Sequence, residues 1–295
     1  MASISSVFMR FPNGLGKALT LSYDDGVTED IRLIDIMQAH GLKGTFNLNS
    51  ALYAEEGTLR NKPWGNRLTE KEVLALYSKE GIEPAMHGLT HTHLQTLPMP
   101  QAVCEVIDDR KNLEALFGKE IRGMAYAYGT FNNDTVRVLE DCGVLYCRTT
   151  VSTERFDLPT DWLRLPATCH HKASRLPELT KKFIDLTVGE RDQARLFYLW
   201  GHSYEFEKDG NWDVIENFAA TIGGREDIWY ATNTEIFEYM EDFNRLIFSA
   251  DGGIVKNPTA RTLYFEFEKQ SFSIVPGEQI NLLEKMEAGI EGYQV

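Results

Sequence analysis

Long apolar runs are missing from this chain. No stretch reaches the roughly 18 apolar residues that a membrane-spanning helix needs, so no helical membrane span is expected. Cysteine is scarce: Cys104, Cys142, Cys147 and Cys169 are the four in 295 residues, and none forms a Cys-x-x-Cys pair. So few cysteines at such spacing exclude a disulfide framework and point to reduced thiols. The first ten residues lack a basic region followed by a long apolar run, so no signal peptide is read there and a cytoplasmic protein is expected. Positive charge is deficient as well. Thirty Lys and Arg face 44 Asp and Glu, a formal net charge of -14, which argues against nucleic-acid or anionic-membrane partners. No glycine-rich phosphate loop follows the first apolar run, which removes the usual nucleotide-binding reason for an open doubly wound sheet.

What is present is an alternation of short apolar runs with helix-like segments. Strands are expected over 19–25, 44–49, 82–87, 123–129, 145–150, 162–166, 196–202 and 228–232, with the proline-bearing run 162–166 at an edge. Helical spacing marks 30–40, 68–77, 100–116, 134–142, 177–186 and 234–246, with Thr69 as one cap and Asn233 or Thr234 as another. Alternation of this kind builds right-handed βαβ units on a parallel sheet. Seven or eight repeats give an α/β fold, a distorted (β/α)7-8 barrel with a small C-terminal β extension. The expected division is a barrel over 1–250 and an extension over 251–295, where short strand-like runs surround the turn Pro276-Gly277.

The chemistry-bearing residues stand where strands end. Asp24 and Asp25 close the first run before Gly26, and two adjacent carboxylates at a buried strand end repel each other. A metal ion or a catalytic task accounts for them; the plainer alternative is a pair of loop aspartates that cap the next helix. His87 and His91 are four apart, a spacing that lets two imidazoles reach one point. Imidazoles and a carboxylate oxygen suit zinc or a related divalent metal. His202 ends an almost wholly apolar run and has the chemistry of a general acid, against the alternative of a satisfied core histidine. Tyr126, Tyr128 and Gly129 end the fourth run, where aromatic rings can pack under a sugar and a backbone N–H can hold an oxyanion. Trp64, Trp162, Tyr204 and Phe206 are further aromatics for a sugar-binding rim.

Ser22-Tyr23-Asp24-Asp25-Gly26, His87-x-x-x-His91, Ala125-Tyr126-Ala127-Tyr128-Gly129 and Leu199-x-x-His202 occur in the order and rough spacing of one family. Over residues 17–205 the chain resembles the polysaccharide deacetylase family (NodB homology, carbohydrate esterase family 4). The resemblance implies metal-dependent hydrolysis of N- or O-acetyl groups on a carbohydrate. By position, it makes Asp25, His87 and His91 the metal ligands, Asp24 the general base and His202 the general acid, with the backbone N–H of Tyr128 at the oxyanion. The implied cofactor is one divalent ion, zinc first, with cobalt, nickel, manganese or iron as alternatives. Tyr126, Trp162 and Tyr204 are the expected substrate contacts.

Departures from the family pattern are definite. The third motif usually carries an Arg that steadies the base, and Ala125 stands there, as in a branch of the family reading like Ala-Tyr-Pro-Tyr-Gly. Arg164 is the expected replacement, and Asp161 the candidate carboxylate partner of the acid His202. The expected partner is a carbohydrate or other small molecule; oligomeric state is not legible. Two other readings compete: an amidohydrolase on a small non-sugar amide or ureide, and an inactive carbohydrate-binding barrel.

Overall fold

In the computed structural model, which describes residues 7–285, the chain enters through β1 (Val7–Arg10) and then forms β2 (Lys17–Asp24), a strand buried along its whole length. Leu19, Leu21 and Tyr23 alternate with Thr20, Ser22 and Asp24, and the polar side is buried too because it is bonded inside: Thr20 donates to Asn233, and Asn47 donates to Ser22 and Asp24. The parallel strands that follow are β3 (Gly44–Leu48), β4 (Ile82–Met86), β5 (Gly123–Ala125), β6 (Tyr146–Ser152), β7 (Leu165–Ala167), β8 (Cys169–His170), β9 (Arg195–Gly201) and β10 (Ile228–Tyr230). They are ordered β7-β6-β5-β4-β3-β2-β9-β8, and β10 pairs with the start of β2. Thr168 alone separates β7 from β8, and its N–H donates to Tyr198 O on β9 at 2.9 Å. One short run is therefore bonded to β6 at its beginning and to β9 at its end. It joins the two ends of the sheet into the distorted barrel that the alternation predicts.

The helices are α1 (Asp30–Ala39), α2 (Glu70–Tyr77), α3 (Met99–Phe117), α4 (Asn133–Asp141), α5 (Leu176–Asp185), α6 (Tyr204–Asp209), α7 (Asp213–Ile222) and α8 (Asn233–Asn244). Among the described residues, none is long and apolar enough to cross a membrane. Thr69 caps α2 in a reciprocal box with Glu72, as its position suggests. At α8 the cap is Thr232, not Asn233 or Thr234, because Thr232 and Glu235 have the spacing of the same box. The run 162–166 also differs from expectation. Asp161 accepts the N–H groups of Leu163 and Arg164, which winds Trp162–Arg164 into a helical turn before the strand begins. Pro166 lies in β7, the end strand of the order, as its proline suggests, and the pairing with β6 slips in register there. Helices α6 and α7 add to the expected set; in α7, Ile215, Phe218, Ala219 and Ile222 bury one face at helical spacing.

The C-terminal segment forms β11 (Ile247–Phe248), β12 (Ile254–Lys256), β13 (Leu263–Phe267), β14 (Gln270–Ile274) and β15 (Gln279–Asn281). β1 pairs antiparallel with β13, so the first described strand joins the last part of the chain. Phe265, Phe272 and Ile274 pack with Leu196, Ile236 and Tyr239 in a second core cluster, away from the main one that fills the space between sheet and helices. The main cluster includes Phe197 of β9, fully buried against Phe156, Phe183 and Phe218. Phe197→Ala is expected to cost about 3–5 kcal/mol through lost burial and a residual cavity. Urea unfolding checks it: the midpoint should fall while the slope holds.

Candidate active site

The residues expected to bind metal or move protons gather at the C-terminal ends of the parallel strands. Asp24 is the last residue of β2, and Asp25 turns away from it with φ 88. His87 follows β4, Tyr128 lies past β5 and His202 follows β9. His87 Nε2 and His202 Nε2 each lie 3.8 Å from Asp24 Oδ2, so one carboxylate oxygen serves both imidazoles. His91 Nε2 lies 3.6 Å from Asp25 Oδ1.

Asp24 is 2% exposed and accepts from Asn47 Nδ2 at 2.8 Å. Its main partner is the guanidinium of Arg148, itself 1% exposed. Burial pushes the Asp24 carboxyl up, but Arg148, with His87 and His202, outweighs it and holds the group well below the usual carboxylate range. Arg148 in turn lies 4.4 Å from the face of Trp200 on β9.

This corrects the expectation for Arg164. That side chain points outward, pairing with Asp161 at 2.8 Å and donating to Asn133 at 2.9 Å. The absent Arg at Ala125 is supplied one strand over: Ala125 of β5 is the direct register partner of Arg148 of β6. The signal is a lone cation in the buried run Tyr146-Cys147-Arg148, which demands a carboxylate opposite it.

Asp25, His87 and His91 offer one donor atom each, all within 4.8 Å of one another. His87 Nδ1 donates to Ala125 O at 2.9 Å, so Nε2 is the nitrogen that faces the others. Burial and the neighbouring His87 push His91 down to about 4, which leaves it neutral and able to ligate. Two imidazole nitrogens and a carboxylate oxygen with open positions fit a divalent metal of the zinc type. Arg67 braces the two ligand loops: it donates to Asp25 Oδ1 at 3.0 Å and to Asn49 Oδ1 at 3.2 Å, while Asn49 holds the carbonyls of His87 and Gly88.

His170, His171 and Glu205 form a second group with metal-like spacing. Its hydrogen bonding argues for a different role. The Lys172 N–H donates to His170 Nδ1 at 3.1 Å, which puts the proton of a neutral His170 on Nε2, 3.1 Å from Glu205 Oε2. Lys172 Nζ adds a cation 3.1 Å from Glu205 Oε1. Burial raises Glu205, yet the bonds from His170, His171 and His202 hold it well below the usual range. His202 Nδ1 lies 3.3 Å from this carboxylate, so the acid's partner is Glu205 and not Asp161, which is spent on Arg164. Burial alone would lower His202; the bond to Glu205 and the charges of Asp24 and Asp25 raise it instead.

The aromatics divide. Tyr128, left-handed at φ 59 and 56% exposed, sets its ring against His91 and His93 at the site. Tyr204 lies with its ring 5.4 Å from His202. Tyr126 is buried, stacked on Phe131 and donating to Leu163 O, which makes it core rather than substrate rim. Trp162 packs on Phe237 in the second cluster, and Phe206 is fully buried.

The chain is similar to known proteins over part of its length. A family model described as "Polysaccharide deacetylase" matches residues 12–147, which include Asp24, Asp25, His87, His91 and Tyr128 and stop one residue short of Arg148. YxkH of Bacillus subtilis (strain 168), a protein assigned to the polysaccharide deacetylases, is 23% identical over 128 residues, 43% of this chain and 42% of the relative. The match thus spans less than half the length of that curated relative. A Mycobacterium smegmatis structure with the same assignment shares the fold, with a TM-score of 0.55 at 16% identity over 82% of this chain and 95% of that one. Over residues 12–147 the chain is similar to the polysaccharide deacetylases, the family its motifs resemble.

Buried carboxyls fasten the loops beneath the site. Asp109 accepts the N–H of Ser50 and of His87. Asp30, fully buried, accepts from Val27 N, Tyr77 Oη and Ser203 Oγ, which ties the Asp25 loop to the His202 loop. Burial drives Asp30 from 3.8 up to about 7 against those bonds. Between these values the folded state keeps a proton that the unfolded chain has released, so this group's contribution to stability falls as pH rises toward 7. The expected slope is about 1 kcal/mol per pH unit. In Asp30→Asn that slope should vanish, read as the wild-type minus variant difference in urea unfolding at about pH 5 and about pH 7.

Proposed function

We propose that this chain is a metal-dependent hydrolase that removes N- or O-linked acetyl groups from a carbohydrate. The observation that carries this reading is the convergence of the Asp25, His87 and His91 donors beside Asp24 and His202 at one barrel mouth. Asp25, His87 and His91 would hold the metal, zinc by the chemistry of two imidazoles and a carboxylate. Bound there, a divalent ion supplies Lewis acidity toward an acyl oxygen and acidifies a water. Asp24, kept ionised by Arg148, accepts a proton from the attacking water. The backbone N–H of Tyr128 donates to the developing oxyanion. His202 delivers its Nε2 proton to the departing amine or alkoxide, while Glu205 stabilises the imidazolium from the Nδ1 side. The division into a barrel over 1–250 and an extension over 251–295 belongs to the same proposal; the pairing of β1 with β13 ties the two together.

Chelation should abolish acetate release from acetylated chito-oligosaccharides or xylan, with zinc restoring it. Metal analysis should give about one ion per chain for the wild type and none for His91→Ala, since three ligands define the site. Asp24→Asn should lower kcat by about 10²–10⁴ with metal still bound. In Arg148→Gln the Asp24 carboxyl rises toward its ordinary range, so the acidic limb of the kcat/KM profile should move to higher pH. A metal-free wild type, or full turnover by Asp24→Asn, defeats the mechanism.

A further inference from the structure

We propose that the saccharide taken by this site carries an anionic group, a carboxylate or a phosphate, held beside the acetylated sugar in the cleft of Lys62, Trp64, Arg67, Tyr204 and Lys208. This rests on the deacetylase reading above and names the substrate class of that site. The cleft has a volume of about 410 Å³ and opens directly beside Asp25, its one lining carboxylate. It brings three cations together on a chain whose formal net charge is -14. The far field of such a chain repels anions, so a local concentration of cations at the site mouth is a selective feature.

Arg67 neutralises Asp25 through its 3.0 Å bond. Lys62 and Lys208 have no carboxylate partner among the described residues, which leaves their charge for a ligand. The aromatics give the cleft a sugar-binding surface. Tyr204 and Lys208 are one turn apart on α6, with Tyr204 beside His202 and Lys208 Nζ 5.7 Å from the Trp64 ring centre. Trp64 is 37% exposed, an open apolar face for a sugar ring to cover.

The loop that presents Lys62 and Trp64 is fastened in place. Asn66 bonds to both backbone groups of Lys62, and Thr28 N donates to Asn66 O. Glu29 accepts the Gly65 N–H at 2.9 Å. Gly65 takes φ +68, and the added Cβ of another residue would touch Tyr204. The backbone that carries Lys62 and Trp64 is thus held beside the Asp25 loop. An acetyl group at the metal ligands and an anion on the neighbouring ring or substituent would be held together.

The test uses the zinc-loaded full chain and three probes: chitin tetrasaccharide, which is neutral; hyaluronan tetrasaccharide, which places a carboxylate next to each N-acetyl sugar; and N-acetylglucosamine 6-phosphate. The expected kcat/KM for one anionic probe is at least about tenfold above that for the neutral one, and which probe wins identifies the anion. That preference should shrink as salt rises from about 50 to about 500 mM. In the Lys62→Ala/Lys208→Ala double variant it should fall below about twofold. Equal turnover of neutral and anionic probes overturns the inference and leaves the deacetylase reading intact. If neither these probes nor acetylated xylan release acetate, the deacetylase reading fails, and calorimetry decides the cleft by itself. Tighter binding of hyaluronan tetrasaccharide than of chitin tetrasaccharide, lost in the double variant, supports the anion site; equal binding or none overturns it.

Discussion

The buried ion pair between Arg148 and Asp24 is the interaction on which the site depends. Both side chains are almost wholly removed from water, so the carboxylate would take up a proton if the guanidinium were elsewhere. Such a pair adds little to stability, because the cost of desolvating two charges offsets most of their attraction. What it secures is a charge state. Asp24 stays an acceptor, Asn47 fixes its other oxygen, and the two flanking histidines meet a fixed negative charge. Basicity is sacrificed for this: a carboxyl held so low is a weaker proton acceptor than one near neutrality. A water acidified by a cation at the adjacent ligands needs less basicity from its acceptor.

The barrel turns this local arrangement into a site. β2 pairs with β9 and β3, so the strand that ends in Asp24 has neighbours that end near His202 and Asn47. Beyond the strands the backbone is bent sharply. Asp25, His91 and Tyr128 all take positive φ without being glycine, and such conformations cost of order 1–3 kcal/mol each. These three residues sit together at the mouth, and the buried bonds of Asp30, Asp109 and Asn49 compensate for them. The strain re-aims three chain segments toward one point that regular strand geometry would miss.

Much of this is legible in the amino-acid sequence. The strand-helix alternation gives the barrel because its apolar runs have strand length and its amphipathic segments have helical period. Asp24, Asp25, His87, His91 and His202 are visible because ends of parallel strands meet on one face. What the sequence hides is lateral. Arg148 serves Asp24 from a strand far away along the chain, through a register that only pairing reveals. Glu205 is hidden because it sits three residues after His202 on a short helix with a single buried apolar residue, too little for a periodic signal. Tyr126 is hidden for a related reason: a strand end shows that a ring is near the mouth, not which way it faces. Its neighbour Tyr128 turns outward because its backbone is left-handed, while Tyr126 keeps the inward direction.

The two histidine clusters are chemically opposed, and that opposition polarises the mouth. Around Asp25 the imidazoles turn nitrogens toward the carboxylate: His87 spends Nδ1 on Ala125 O and keeps Nε2 for the site, and burial lowers the proton affinity of His91. Around Glu205, His170 Nε2 and His171 Nε2 lie 3.1 and 3.3 Å from the carboxylate, with an ammonium beside them. A divalent cation finds ligands at the first cluster and competing positive charge at the second. A proton finds the reverse, since Glu205 retains its charge and raises the proton affinity of His202. His202 lies between the two poles, its Nδ1 toward Glu205 and its Nε2 toward Asp24. Gly201 keeps that placement possible: a Cβ there would stand 2.1 Å from His171 Nδ1 and drive the second cluster apart. Metal affinity and proton affinity are thus separated across one barrel mouth, although both are built from histidine and carboxylate.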